Sequence, residues 1–212
     1  MQTEEEQIAQ LKEWWQRNGK PLLAGGVLAV AGVFGWQYWQ NYQASQAAAA
    51  SYTYQQLLEN VLSPEVERDT AEVVELSNKL KSEFAGSPYS QYGALLAAKL
   101  AVEAGKLDDA AAELQAVVDK PADATLGELA RQRLARVLAA QDKAEEGLTL
   151  LDGEAPASYQ ASREELRGDL LKQLQRPAEA REAYQKARAV LADDAAQGTL
   201  QLKLDDLAEG DA

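Results

Sequence analysis

Three pairs of adjacent aspartates, Asp108-Asp109, Asp193-Asp194 and Asp205-Asp206, are the residues here that most invite a chemical reading. Carboxylate chemistry on a glycosidic bond needs two such groups held across a cleft. Neighbours on a helix point in different directions, so a doublet is not that pair. Helix starts and solvated surface explain the doublets better, since carboxylates near a helix N-terminus also favour its dipole. Residue types exclude the other chemistries. The chain has no histidine and no cysteine, which removes Cys/His zinc sites, Ser-His-Asp triads and thiol nucleophiles. Proton transfer would fall to Asp, Glu, Lys or Tyr. No catalytic residue, metal or cofactor is assigned. A net charge of -13 argues against binding nucleic acid, which needs a basic face. The same charge favours a protein partner with basic patches, bound more weakly as salt rises.

Recognition is the chemistry that remains. Tyrosine suits it, with a large apolar body and a polar tip. Tyr184 and Tyr92 sit where packing is expected. Tyr52 and Tyr54 are the candidates for partner contact.

Helices must carry these residues. The apolar share is mostly Ala, Leu and Val, with a single isoleucine and two phenylalanines. Ala, Leu, Glu, Gln and Lys are good helix formers, and β-branched residues are scarce, so the expected fold is all-α. Pro21 to Trp39 reads PLLAGGVLAVAGVFGWQYW, with no charge. As a helix it would be about 28 Å long, close to the hydrocarbon thickness of a bilayer. Lys12, Arg17 and Lys20 precede it, and no Lys or Arg follows until Arg68. The positive-inside rule then places the N-terminus in the cytoplasm and the larger part outside. Trp36, Tyr38, Trp39 and Tyr42 form an aromatic belt at the outer interface. Gly25, Ala29 and Gly32 lie at i, i+4 and i+7, a small-residue face that another helix can approach closely. Ser45 and Ala47 satisfy a loose signal-cleavage rule. The long leading segment with Glu4, Glu5, Glu6 and Glu13 favours an uncleaved anchor instead. Within that segment Ile8, Leu11, Trp14 and Trp15 share one helical face, suited to lying on a membrane surface.

The expected organisation is a cytoplasmic segment over 1–20, a membrane helix over 21–39, and a helical extension over 40–62. A helical-hairpin domain over 63–207 and a tail over 208–212 follow. Ser63-Pro64 and Ser87-Pro88 read as caps followed by proline at the first helical position. Thr125 with Glu128 reads as a capping box. The stretches 119–123 and 152–158 contain Pro or Gly and read as loops.

The hairpins repeat. In 161–187, Gly168 stands at a tight crossing with Leu171 behind it, and Ala180, Tyr184 and Ala187 follow on the next helix. Ala98, the turn Gly105-Lys106-Leu107, then Ala110, Leu114 and Val117 align with that pattern, with Pro121 closing the unit. Ala135, the turn Gln141-Asp142-Lys143, then Gly147 and Leu151 form a middle unit. Ala110, Gly147 and Ala180 are 37 and 33 residues apart, near the ~34-residue tetratricopeptide period. Residues 64–84 with 89–104 are a candidate for one further, degenerate unit. Leu200 to Leu207 would cap the open end, although Leu200, Leu202 and Leu204 alternate.

The whole chain resembles the YfgM family, ancillary subunits of the SecYEG translocon in Gram-negative bacteria. The resemblance is carried by Trp15, Asn18-Gly19-Lys20, Gly35-Trp36, Tyr38-Trp39, Tyr92-Gly93-Ala94-Leu95, Leu134-Ala135-Arg136-Val137 and Leu166-Arg167-Gly168. It implies a single-span inner-membrane protein whose tetratricopeptide-like domain lies in the periplasm. The partners it implies are the translocon, a PpiD-like membrane-anchored chaperone, and unfolded secretory or outer-membrane polypeptides. It also implies a role for the family in restraining a stress-response regulator.

Overall fold

A computed structural model describes residues 4–63, 70–191 and 194–209. Nine α-helices and one short 3₁₀ turn account for the described elements, and no strand occurs among them. They are α1 (Glu4–Leu62), α2 (Thr70–Glu83), α3 (Pro88–Glu103), α4 (Leu107–Asp119), α5 (Ala124–Ala140), α6 (Ala144–Leu150), α7 (Gln160–Gln173), α8 (Pro177–Val190) and α9 (Asp194–Glu209). The chain divides into two compact units, Met1–Ala49 and Ala50–Ala212.

The first unit is helical throughout its described residues. Pro21 lies inside α1, where it forfeits one backbone hydrogen bond. The apolar run is long enough to cross a membrane, and none of it is buried. Leu28, Val33, Phe34 and Trp36 are all open, which a core helix of a water-soluble domain would not tolerate.

The second unit is a row of hairpins. Three-residue turns join α3 to α4, α5 to α6 and α7 to α8. Each turn contains one residue with a left-handed backbone: Gly105 at φ 71°, Asp142 at φ 63° and Gln175 at φ 59°. In each, the next amide donates to a carbonyl five residues back: Lys106 to Ala101 at 2.8 Å, Lys143 to Leu138 at 2.9 Å and Arg176 to Leu171 at 2.9 Å. That is the Schellman closure of a helix end. The backbone therefore repeats at the same 37- and 33-residue intervals as Ala110, Gly147 and Ala180. Gly105 meets the left-handed requirement without a Cβ penalty. Asp142 and Gln175 meet it at a cost of about 1–2 kcal/mol each by side-chain sterics.

Three apolar clusters fill the row. One joins Leu57 and Val61 of α1 to Val73, Leu76 and Leu80 of α2. The second runs through α3, α4 and α5, and the third through α5 to α9. Residues 50–62 thus already contribute to the core of the hairpin unit, ahead of the expected start at 63. The partner of α2 includes the end of α1, where Asn60 donates to Glu72 at 2.7 Å, while α3 forms its hairpin with α4. The described part of 64–84, α2, also packs on α3 as expected: a Cβ on Gly93 would lie 2.8 Å from Cδ1 of Leu80, and Leu96 and Leu100 rest on the cluster that holds Leu76 and Leu80. Side-chain ties between successive hairpins join residues about one repeat apart. Gln141 donates to Asp108, Gln173 to the Ala139 carbonyl, and Lys203 to Asp169, with separations of 33, 34 and 34 residues.

The helix starts are partly as expected. Ser87 caps α3, accepting from the Tyr89 amide, with Pro88 at the first helical position. The Ser63-Pro64 start lies outside the described residues at Pro64. The Thr125–Glu128 capping box does not form. Asp123 caps α5 instead, its carboxylate accepting from the Leu126 amide at 2.8 Å, and Thr125 is already inside the helix. The reason is that Glu128 is drawn into the core. Asp123→Ala is expected to cost about 1 kcal/mol of stability. Thr125→Ala should stay within about 0.5 kcal/mol of zero. Thermal unfolding of the two variants in detergent checks the assignment, and the reverse order would restore the Thr125 cap.

At the far end α9 is a helix despite the alternating leucines. Leu200, Leu204 and Leu207 are buried and Leu202 is exposed, which is the i, i+4, i+7 spacing of a helical face.

Candidate functional site

The residues expected at the hairpin crossings are all buried: Ala98, Ala110, Leu114, Ala135, Gly147, Leu151, Gly168, Ala180, Tyr184 and Ala187. Two glycines show why size matters there. A Cβ on Gly168 would lie 2.5 Å from Cδ1 of Tyr184 and 2.9 Å from its Cζ. A Cβ on Gly147 would lie 2.9 Å from the Ala135 carbonyl oxygen. At both places α-helices approach so closely that a methyl group has no room.

Tyr184 anchors the end of the row. Its ring is 1% exposed, and its hydroxyl donates to Asp169 at 2.8 Å. Burial, then the bond to Asp169 and that residue's charge, push the phenol well above its ordinary range. Lys203 of α9 reaches Asp169 at 2.6 Å and Glu165 at 2.8 Å, and stands 5.4 Å over the Tyr184 ring. Burial alone would lower the Lys203 ammonium, but bonds to the two carboxylates outweigh it and hold the group above its usual value.

A buried polar knot was not anticipated. Glu128, Gln132 and Arg163 are 1%, 4% and 2% exposed. Arg163 clasps the Glu128 carboxylate with two donors, Nε at 2.8 Å and Nη2. Its Nη1 donates to the carbonyls of Gly153 at 3.0 Å and Leu151 at 3.3 Å. Gln132 donates to Glu128 at 2.9 Å, and Arg131 does so at 3.3 Å. Burial pushes the Glu128 carboxyl up, but the bonds from Arg163 and Gln132 and the charges of Arg163 and Arg131 outweigh it and leave it below the usual value. The knot ties α5 to α7 and to the loop between α6 and α7, where Gly153 has φ 85°. One sequence signal pointed here. Glu128 and Gln132 stand at helical spacing with Ala135 and Ala139, and Arg163 with Leu166 and Leu170. Charged residues in an apolar stripe demand a partner.

Two of the three aspartate doublets lie at the surface among the described residues. Asp108 and Asp109 are exposed in the first turn of α4. Asp205 accepts from Gln201 and Asp206 from Lys172, both at the surface. Asp193 lies outside the described residues. Among the described residues no group of carboxylates could hold a metal ion.

The candidate contact tyrosines part company. Tyr52 is 62% exposed. Tyr54 is half-buried, and its ring packs at 5.6 Å from Tyr89 and 5.8 Å from Tyr92. Burial, then the neighbouring Tyr92, raise its phenol. In the first unit Gly25, Ala29 and Gly32 are open, and nothing lies within 4 Å of a Cβ placed on either glycine. Trp36, Tyr38, Trp39 and Tyr42 are exposed, with Trp36 and Trp39 rings 5.4 Å apart. Ile8, Leu11, Trp14 and Trp15 are all exposed, and the Trp15 ring also lies beside Gly19.

Fold and residues together define a helical-hairpin repeat protein with tightly interlocked crossings and, among the described residues, one apolar helix of membrane-spanning length. The profile of the tetratricopeptide repeat-like domain family matches residues 12–209. A protein of Escherichia coli is 32% identical over 80% of both chains, and one of Haemophilus influenzae is 31% identical over 79% of both. One of Neisseria gonorrhoeae is 28% identical over 96% of this chain and 97% of its own. Each is called an ancillary SecYEG translocon subunit. No solved structure matches the chain. The chain belongs to the family of ancillary SecYEG translocon subunits.

Proposed function

We propose that this chain is a membrane-anchored scaffold of the Sec translocon. Residues 1–20 lie in the cytoplasm, 21–39 span the inner membrane, 40–62 extend that helix, and the hairpins through 207 lie in the periplasm. There the hairpins hold a PpiD-like chaperone and help pass emerging polypeptides to the periplasmic chaperones. The cytoplasmic segment restrains a stress-response regulator. The observation that carries this reading is the end-to-end family match over 12–209, which takes in the apolar helix as well as the repeats. The unburied apolar helix, its open small-residue face and its aromatic belt support it.

The test is a mild-detergent pull-down of the intact chain, read by mass spectrometry, beside a variant with 21–39 replaced by an unrelated span. Translocon and chaperone are expected with the native span. Their survival in the variant assigns the contact to the hairpins, and their loss assigns it to the membrane helix. Recovery of neither with the native span overturns the translocon reading.

Topology has its own prediction, because the chain is free of cysteine. A single Gln185→Cys variant, on the exposed face of α8, should react with a membrane-impermeant maleimide in cells with a permeabilised outer membrane. A Gln7→Cys variant should react only after lysis. The opposite pattern would reverse the orientation.

A further inference from the structure

A groove of about 460 Å³ runs between α3, α4 and α5. Its floor is apolar, formed by Leu95, Ala98 and Val137, all buried. Its rim includes Val102, which is 43% exposed. Two arginines of α5, Arg133 and Arg136, line it at i, i+3 spacing and are exposed. Lys99 also lines it, but Lys99 and Glu103 neutralise one another at 2.9 Å. Two unopposed positive charges therefore remain beside an apolar floor.

Their freedom is unusual in this molecule. Every other described arginine of the second unit is engaged: Arg131, Arg163, Arg167 and Arg176 with carboxylates, Arg181 with the Leu207 carbonyl, and Arg188 with Gln201. Among the described residues Arg133 and Arg136 have no hydrogen-bond or ion-pair partner. In a chain of net charge -13 carboxylates are plentiful, so two guanidinium groups left open on one groove are not accounted for by folding. A planar guanidinium is suited to carboxylate, which it can bind through two parallel hydrogen bonds. An apolar strip beside it adds the area that a lone ion pair at a surface lacks.

We propose that the α3–α5 groove is a docking site for an acidic, apolar segment of another polypeptide: apolar side chains settle on Leu95, Ala98 and Val137 while carboxylates meet Arg133 and Arg136. Its sign is opposite to the basic partner that the overall charge favours, so it is a separate surface. The proposal does not rest on the translocon reading.

The test uses the full chain in nanodiscs of zwitterionic lipid and a peptide of alternating leucine and glutamate, capped at both ends and carrying a neutral dye. Fluorescence anisotropy reads binding. The peptide is expected to bind, and Arg133→Gln/Arg136→Gln to weaken it by about tenfold or more, as the loss of two charge-assisted contacts requires. Glutamine in place of glutamate, or serine in place of leucine, should weaken it comparably. Val102→Glu, placed on the exposed rim, should also weaken it while leaving thermal unfolding unchanged. Lys186→Gln, on exposed α8 away from the groove, is the control expected to bind as the parent does. Three results each overturn the proposal: no binding of the acidic peptide, equal binding by the arginine-free variant, or equal loss in the Lys186 control. Arginine-dependent capture of phosphatidylglycerol vesicles without peptide binding would overturn it in favour of a lipid surface.

Discussion

Glu128→Ala is expected to cost about 3–5 kcal/mol, because it leaves a buried guanidinium without its counter-charge. The carboxylate takes two donors from Arg163 and one from Gln132. Without it, Arg163 keeps only the carbonyls of Leu151 and Gly153 while still sealed from water. Replacing both partners by apolar residues of similar volume, Glu128→Leu with Arg163→Met, should recover most of the loss, since the desolvation of both charges is removed with their attraction. Chemical unfolding of the single and double variants reads this directly. A single-variant loss below about 1 kcal/mol, the range of surface pairs, would show that water reaches the knot.

The same pair makes a pH prediction. The Glu128 carboxyl is lower in the folded chain than in the unfolded one. A group depressed on folding stabilises the native state above its unfolded value of about 4.3, and that contribution fades as pH falls through the lower folded value. The stability gap between the parent and Glu128→Gln should therefore be full near neutrality and shrink as pH drops below about 4. A gap independent of pH would mean that the carboxyl is neutral when folded.

Gly168→Ala is the second change expected to act strongly, costing about 1–3 kcal/mol through overpacking. The added methyl would meet the Tyr184 ring, which cannot swing aside, since its hydroxyl is bonded to Asp169 and Lys203 lies over its face. Tyr184→Leu alone should also destabilise by removing buried ring. In Gly168→Ala/Tyr184→Leu the new methyl finds space, so the double variant should lose less than the two singles together by about 1 kcal/mol or more, the signature of residues in contact. Strict additivity would place the clash elsewhere. Gly198→Ala is the contrast. Nothing lies near a Cβ at that position in α9, so helix propensity alone should stabilise by up to about 1 kcal/mol.

These two cases also mark the limits of reading the chain in one dimension. Gly168 and Tyr184 were legible because a small residue followed on the next helix by Ala180, Tyr184 and Ala187 is a local pattern within one hairpin. Glu128 was misread for the same reason. Within its own helix it sits three residues after Thr125, and the capping box is a local rule. The competing bond to Arg163 comes from 35 residues away, and a buried carboxylate cannot forgo its counter-charge to cap a helix that Asp123 can cap in water. Gln175 at φ 59° was equally hidden, because glutamine does not advertise a left-handed turn as Gly105 does.

Helical character, the charge-free segment of membrane-spanning length and the period of the hairpins were determined by the sequence alone. All depend on spacings within a helix or between the two helices of one hairpin, where 3.6-residue periodicity and side-chain size decide the outcome. The tertiary structure alone decided which residues one repeat apart become neighbours. It buried Glu128 against Arg163, drew residues 50–62 into the hairpin core, engaged Tyr54 with Tyr89 and Tyr92, and left Arg133 and Arg136 open on one groove. The physical reason is that stacking superimposes positions about one repeat apart, and a change of one helical residue in that register turns a side chain by about 100° from core to surface.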